Sequence, residues 1–231
     1  MNMFQIIRKK PDPAQYIDCY ETVKVFVKYH KPVFLCDIGA SNGSWSYTLS
    51  LLDPELRHVV SFEPRRDAFN ELRKRNIPGV KNVCFPYGLS TKRSKILLRG
   101  GTTSASFLPE KEQQNIFPNS LNGQTEIAQV YRLDYLYAKF KLPLPDTIKL
   151  DVQGYEQHVL EGGLHILSHA QYLVIELSFR EFYKGQPPLS RIIKFLERNK
   201  FELVDFGYEW RVASGELVQI DGIFRNTHRL T

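Results

Sequence analysis

The segment FLCDIGASNGSWS, from Phe34 to Ser46, places an acid, two glycines and several small polar residues directly after an apolar run. If that run is a strand and a helix begins at Ser44, backbone N–H groups and the positive end of the helix dipole converge on the turn. Gly39 and Gly43 then leave room for a ligand to approach the backbone. Tight packing without a ligand also explains a glycine turn, so the segment leaves both interpretations open.

Glu63 ends the next apolar run, about 20 residues beyond the turn, where an acid commonly accepts hydrogen bonds from the hydroxyls of a ribose. The alternative is an acid favoured by the dipole of the helix that follows it. Pro64 suits the first turn of such a helix in either case. The turn and the acid together predict a cofactor that contains a nucleoside.

Asp151, Glu156 and Glu176 are acids close to the ends of two later apolar runs. A carboxylate at the end of a strand suits a general base that takes the proton of an acceptor hydroxyl, and Asp151 is the best-placed candidate. As alternatives, Asp151 is a favoured helix-capping residue type and Glu156 suits a first helical turn by its charge. Glu176 must be paired, hydrated or facing a site. These three residues are the predicted catalytic acids.

Other polar residues are weaker candidates. Asp151 and Glu176 would suit a divalent cation, but nothing in the pattern requires one, and His165 and His169 lack a third ligand. No metal site is therefore predicted. Farther along, three residues suit an aromatic and cationic wall beside a sugar, although ordinary loop packing explains them too. They are Arg180, Tyr183 and Trp210.

The elements that must position these residues follow an alternating pattern. Five near-continuously apolar runs predict strands covered on both faces, at Val33–Gly39, His58–Pro64, Asn82–Gly88, Thr147–Val152 and Tyr172–Ser178. Helical patterns lie between or after them at Ser44–Leu52, Arg66–Asn76, Tyr155–Leu167 and Leu189–Asn199. This alternation predicts βα units in an α/β fold with a parallel sheet.

The remaining segments complete a single domain of residues 1–231. Residues 1–32 are predicted as an N-terminal helical segment and residues 90–146 as an insertion at the rim of the sheet, with a strand candidate in EIAQVYRLDYL. Within the insertion, Gly100 to Gln124 is predicted to be a mobile lid with Ser104 and Ser106 pointing inward. FELVDFGY and LVQIDGIFRN, joined by EWRVASGE, predict a closing antiparallel hairpin.

Composition bounds the class of protein. The chain is 42% hydrophobic and 24% charged, which is typical of a globular domain, and no apolar run reaches membrane-spanning length. Its net charge of +6 is scattered, so a nucleic-acid partner is not expected. The N-terminus places its cations after a short apolar cluster, the reverse of a signal peptide, and this order predicts a cytoplasmic protein. Cys19, Cys36 and Cys84 are widely spaced and predict reduced, buried thiols.

The blocks DIGASNG, FEPRRDAF, YGLS, RLDYL and IKLDVQGYEQHVLEGG resemble, in order, those of FkbM-type methyltransferases, which have the class I fold and use S-adenosylmethionine. The resemblance covers roughly Val33 to Ser178. It implies a Rossmann-like, seven-stranded sheet of order 3-2-1-4-5-7-6 with an antiparallel last strand. The cofactor-binding residues that it implies are Asp37, Gly39, Ala40, Ser41, Asn42, Gly43, Glu63, Pro64, Gly88, Leu89 and Asp151.

Two departures accompany this resemblance. Gln153 stands where the family usually has an acid, which weakens a catalytic role at that position. Ser41 and Asn42 stand where a stricter pattern of the class has a further glycine, which affects cofactor binding only modestly.

The resemblance implies a methyltransferase that acts on a hydroxyl of a small molecule, with a sugar or glycosylated metabolite as acceptor. A nicotinamide-dependent oxidoreductase shares the glycine turn and the ribose acid but lacks the later blocks. A non-catalytic nucleotide-binding module is the other alternative, because Gln153 replaces an acid. No membrane partner is expected, and the sequence specifies neither the acceptor nor the oligomeric state.

Overall fold

A computed structural model describes residues 17–101, 104–112 and 125–229. The strands in these ranges are β1 (Phe34–Ile38), β2 (His58–Phe62), β3 (Lys81–Phe85), β4 (Gly88–Leu89), β5 (Ser94–Arg99), β6 (Thr125–Tyr131), β7 (Thr147–Leu150), β8 (Tyr172–Ser178), β9 (Phe201–Arg211) and β10 (Leu217–Asn226). The helices are α1 (Ile17–Phe26), α2 (Ser44–Leu52), α3 (Arg66–Leu72), α4 (Leu133–Phe140), α5 (Glu156–Gly162), α6 (Leu164–His169) and α7 (Leu189–Arg198), followed by a 3₁₀ turn at Thr227–Arg229.

The main sheet has seven strands in the order β3-β2-β1-β7-β8-β10-β9. Every pair is parallel except the two that β10 makes with β8 and β9. Counted along the chain within this sheet, the order is 3-2-1-4-5-7-6 with an antiparallel last strand. The predicted class I methyltransferase architecture is confirmed.

Apolar residues that alternate along the strands divide the core between the two faces of the sheet. Leu35 and Val59 pack with α1 and α2, through side chains such as Phe26 and Leu49. The intervening residues, such as Cys36 in β1, pack with the helices α4 to α7 on the opposite face. Both faces of the central strands are thus covered, and only the ends of the strands remain open for a site.

The region after β3 holds a second, three-stranded sheet in the order β4-β6-β5. Leu98, Val130 and Leu133 from this region are buried in the same core as the main sheet. The strand candidate in EIAQVYRLDYL ends at Tyr131, and α4 begins two residues later. Of the predicted lid, residues 102–103 and 113–124 lie outside the described residues, as do residues 1–16 of the predicted N-terminal helical segment.

Four predicted boundaries are wrong. The strand predicted at Asn82–Gly88 ends at Phe85, and Gly88 begins β4 in the second sheet. The helix predicted to end at Asn76 ends at Leu72, because the next turns tighten to i→i+3 bonds at Lys74 and Arg75. β9 continues to Arg211, so the hairpin connection is only residues 212–216, with Gly215 at φ 87°. The predicted helix Tyr155–Leu167 is two helices separated at Gly163.

Two glycines cause that break. A Cβ at Gly162 would lie 2.2 Å from the backbone oxygen of Ser90, and one at Gly163 would lie 2.8 Å from Cδ2 of Leu133. The helices therefore approach β4 and α4 more closely than a side chain permits, a constraint that helical periodicity does not report.

Gly162→Ala is expected to lower the free energy of unfolding by about 1–3 kcal/mol, because its methyl group meets backbone that cannot move aside. Gly163→Ala is the milder comparison, since its methyl group meets no backbone atom but Cδ2 of Leu133 at 2.8 Å, which can move, and Cβ of Leu133 at 3.1 Å. Urea unfolding of both variants measures the difference. Equal stability of Gly162→Ala and the wild type would contradict the packing.

Two predictions made from the composition can be compared with the structure. Among the described residues, no helix is both long and apolar enough to cross a membrane. Cys36 is buried in β1, as predicted, whereas Cys19 and Cys84 are partly exposed. The prediction of three buried thiols is therefore wrong for two of them.

Candidate active site

A cavity of about 250 Å³ opens at the carboxyl ends of the parallel strands, where open α/β sheets bind ligands. Most of the predicted cofactor-binding residues line it, namely Gly39, Ala40, Ser41, Asn42, Glu63, Pro64, Gly88, Leu89 and Asp151. Glu176 lines it as well, whereas Asp37, Gly43 and Glu156 are not among its lining residues. The fold thus brings together residues from five separate parts of the chain.

The glycine turn has the positive φ angles that only glycine adopts easily, 72° at Gly39 and 81° at Gly43. A Cβ at Gly39 would lie 1.7 Å from the backbone oxygen of Asp151, and one at Gly43 would lie 2.8 Å from Cδ1 of Leu72. Packing within the protein is therefore sufficient to require both glycines. A bulky substitution at Gly39 is therefore expected to disrupt the fold, so a loss of ligand affinity in that variant would not identify a ligand contact.

Glu63 joins the turn to the start of α3. One carboxylate oxygen accepts a hydrogen bond from the backbone N–H of Ser41 at 2.8 Å, and the other accepts one from Arg65 N–H at 2.8 Å. Burial raises the pKa of Glu63 to about 7, although these hydrogen bonds oppose the rise. The acid therefore organises the turn that borders the cavity while lining the cavity itself.

Lys149 is a site residue that sequence reasoning missed. Its Nζ donates to the backbone oxygen of Gly39 at 2.9 Å and lies 3.7 Å from Oδ1 of Asp37 and 3.5 Å from Oδ2 of Asp151. Burial lowers the pKa of Lys149, but the carboxylates of Asp151 and Asp37 outweigh it and raise that pKa above its ordinary value. A lysine within the apolar run TIKLDV was the available signal.

Asp37 is fully buried behind the turn rather than exposed to the cavity. It accepts a hydrogen bond from the hydroxyl of Ser46 in α2 and forms an ion pair with Lys149. Burial raises the pKa of Asp37, and the charge of Lys149 opposes that rise. Asp37 thus acts on the cavity only through the residues that it holds.

Gln153 connects the two acids that line the cavity. Its Nε2 donates to Oδ1 of Asp151 at 3.0 Å and to Oε2 of Glu176 at 3.2 Å, while its Oε1 accepts from the hydroxyl of Tyr183 at 3.1 Å. An ionised carboxylate at this position could not donate hydrogen bonds to Asp151 and Glu176. The amide of Gln153, which replaces the usual acid, donates to both. Burial, then the charges of Asp151 and Glu156, raise the pKa of Glu176 well above its ordinary value.

The capping alternative for Asp151 is wrong, because α5 begins after Tyr155 without a side-chain cap. Glu156 takes the backbone role instead, since its Oε1 accepts from the N–H groups of Val152 at 3.2 Å and Gly154 at 3.1 Å. Burial raises the pKa of Glu156 to about 7. Its contacts are those of a residue that holds the turn after β7.

Of the predicted wall, only Trp210 lines the cavity. Arg180 forms ion pairs with Glu216 and Glu112, and Tyr183 is buried, with its hydroxyl on Gln153. Ser106, predicted to point inward, donates to the backbone oxygen of Gln153 at 2.7 Å. Across the described ranges, no group of three or more His, Cys, Asp or Glu residues is arranged to hold a metal ion.

The two buried glutamates with a pKa of about 7 make stability depend on pH. An unfolded glutamate titrates near 4.5, so between these values the folded state binds more protons than the unfolded one. We expect the free energy of unfolding to fall as pH rises through this window, and to fall less in Glu156→Gln. Urea unfolding at about pH 5 and about pH 7.5 measures this. Identical falls in the two proteins would contradict the raised pKa of Glu156.

Comparison with known proteins identifies the family of this chain. The family profile described as the methyltransferase FkbM domain matches residues 37–203, more than half of the chain. The chain belongs to the FkbM methyltransferase family. It is therefore an S-adenosylmethionine-dependent methyltransferase. Its family membership favours this activity over the alternative of a nicotinamide-dependent oxidoreductase.

Two curated relatives of this FkbM-family protein are methyltransferases by name. The 2-O-methyltransferase NoeI of Sinorhizobium fredii is 25% identical over 83% of this chain and 81% of its own length. The hexuronic acid methyltransferase AglP of Haloferax volcanii is 27% identical over 62% of this chain and 55% of its own length. The crystal structure of the methyltransferase FkbM from Methylobacillus flagellatus aligns with a TM-score of 0.56 at 15% identity. That alignment covers 91% of this chain but only 50% of the other, and it supports the fold.

Proposed function

We propose that this FkbM-family protein transfers a methyl group from S-adenosylmethionine to a hydroxyl of a sugar or glycosylated small molecule. The observation that carries the proposal is the single cavity in which the glycine turn and Glu63 meet Asp151 and Glu176. The name of the relative NoeI supports transfer to oxygen, and that of AglP supports a sugar-like acceptor. The donor and the acceptor would thus meet at one edge of the sheet.

The residues fit the donor chemically. Backbone N–H groups near the start of α2 border the cavity, the carboxylate of Glu63 can accept from ribose hydroxyls, and Phe62 and Leu89 supply apolar surface for a base. The proposed cofactor-binding residues are Gly39, Ala40, Ser41, Asn42, Glu63, Pro64, Gly88, Leu89 and Asp151. Gly43 and Asp37 would act indirectly, through the shape of the turn. When bound, the cofactor supplies an electrophilic methyl group.

Asp151 is the proposed base for the acceptor hydroxyl. Its carboxylate lines the cavity with 34% of the side chain exposed. Lys149 forms an ion pair with one carboxylate oxygen, and Gln153 donates a hydrogen bond to the other. A carboxylate fixed in this way orients the hydroxyl and takes its proton, while the walls of the cavity hold the acceptor in a near-attack arrangement. Glu176 is the second candidate base, and Glu156 contributes by holding the turn.

Methyl transfer from S-adenosylmethionine labelled in the methyl group to a panel of methyl glycosides tests the proposal. Label should enter a sugar hydroxyl in proportion to enzyme, and its rate of entry should be roughly 100-fold or more lower in Asp151→Asn. Calorimetry with S-adenosylmethionine and with NAD is the control for the cofactor class. Tight binding of S-adenosylmethionine without transfer to any hydroxyl acceptor would indicate a non-catalytic module, and binding of NAD alone would reject the proposal.

A further inference from the structure

The predicted cofactor residues do not account for one part of the cavity, here called its second end. Residues of α1, β8, β9 and β10 line it, including Cys19, Val174, Glu176, Trp210 and Asp221. It combines an indole with two carboxylates and adjoins Asp151. An aromatic surface beside hydrogen-bond acceptors is a common composition for a small-molecule subsite.

The charges that line the cavity are unequal. Among the described residues, its lining contains four acids, Glu63, Asp151, Glu176 and Asp221, against a single base, Lys149. That base already contacts three oxygens, those of Gly39, Asp37 and Asp151. An anion entering the second end would therefore face the carboxylates of Asp151 and Asp221, with the nearest described cation engaged elsewhere. Glu176, whose pKa is raised by burial and neighbouring acids, offers a hydrogen-bonding group there rather than a further charge.

We infer that this second end is the acceptor subsite and that it takes a neutral sugar ring rather than a uronic acid. The inference rests on the proposed function and makes its substrate class more specific. It distinguishes this chain from the relative AglP, which is named for hexuronic acid. The physical basis is the difference between what a hydroxyl and a carboxylate offer to Asp151 and Asp221.

Sugar hydroxyls donate hydrogen bonds, and carboxylates are strong acceptors, so a neutral ring satisfies both partners. The apolar C–H face of such a ring can cover the indole of Trp210. A uronate carboxylate has no proton to donate, and it loses its hydration where like charges surround it. Thr22 in α1 holds Asp221 by donating to its Oδ2, so this carboxylate is fixed in position.

Matched pairs of methyl glycosides test the inference. Glucose, galactose and mannose glycosides would each be compared with the corresponding uronic acid, and glucosamine would be added as a cationic ring. We expect kcat/KM for the preferred neutral glycoside to exceed that of its uronic acid by about 30-fold or more, because like-charge contacts in an interface are strongly unfavourable. Intrinsic fluorescence gives a reading independent of turnover, since both tryptophans of the chain, Trp45 and Trp210, line the cavity.

Asp221→Asn should reduce that discrimination by roughly fivefold or more, since it removes one of the like charges. Asp205→Asn is the matched control, because it removes the same charge from β9 at a partly exposed residue that does not line the cavity. Trp210→Leu should weaken binding of neutral glycosides in the presence of S-adenosylhomocysteine. Asp205→Asn should leave both readings unchanged.

The outcomes are distinguishable. A uronic acid used as well as the neutral ring, or glucosamine rejected as strongly as the uronic acid, would overturn the inference and leave the proposed function standing. Unchanged discrimination in Asp221→Asn would also overturn it. If no glycoside is methylated, the proposed function fails, and the fluorescence titration then decides whether the subsite prefers neutral rings.

Discussion

Asp151→Asn is expected to lower turnover by roughly 100-fold or more while changing cofactor affinity far less. The amide keeps the size of the side chain and an oxygen within reach of Lys149 or Gln153, but it cannot accept the proton of an acceptor hydroxyl. Single-turnover rates with labelled cofactor, together with calorimetry, measure the two effects separately.

The melting temperature of Asp151→Asn decides whether a loss of turnover is chemical. The substitution removes a partner of the buried ammonium of Lys149, which retains Asp37 and the backbone oxygen of Gly39. Glu176→Gln is the companion variant, since it changes the other carboxylate held by Gln153. A folded Asp151→Asn protein with full activity would falsify the assignment and make Glu176, or proximity alone, the better explanation.

Glu63→Ala should weaken binding of S-adenosylhomocysteine by roughly 10- to 100-fold, as expected when a charged group is removed from a buried hydrogen-bonding position. The loss has two sources, a missing acceptor for ribose hydroxyls and an unsupported Ser41 N–H in the turn. Titration calorimetry of the folded variant measures the affinity directly.

Glu156→Ala is a closely matched control. Both glutamates are buried, both accept hydrogen bonds from two backbone N–H groups, and burial raises the pKa of both to about 7. Only Glu63 lines the cavity. Both alanine variants should lose stability, but only Glu63→Ala should lose affinity. Equal loss of affinity in the two would show that the effect reflects stability rather than contact.

The strands could be predicted from the sequence because the pattern that indicates each strand lies within the strand itself. Continuous apolar runs predicted β1, β2, β7 and β8 within a few residues, since a strand covered on both faces must be apolar throughout. The order of the sheet followed from the family blocks rather than from any periodicity. The glycine turn and the strand-end acids could also be predicted as site residues. Parallel strands end at one shared edge of the sheet, and this edge is known once the strands have been predicted.

Contacts between elements were decided only by the tertiary structure. Lys149 reads as one polar residue in an apolar run, but β1 and β7 pair with Asp37 opposite Lys149, which places its ammonium between two acids and the glycine turn. Gln153 likewise acquires its use from Glu176, a residue of another strand. A sequence pattern reports which side chains of one element are buried, whereas the partner of a buried charge depends on the register between elements, which no single element encodes.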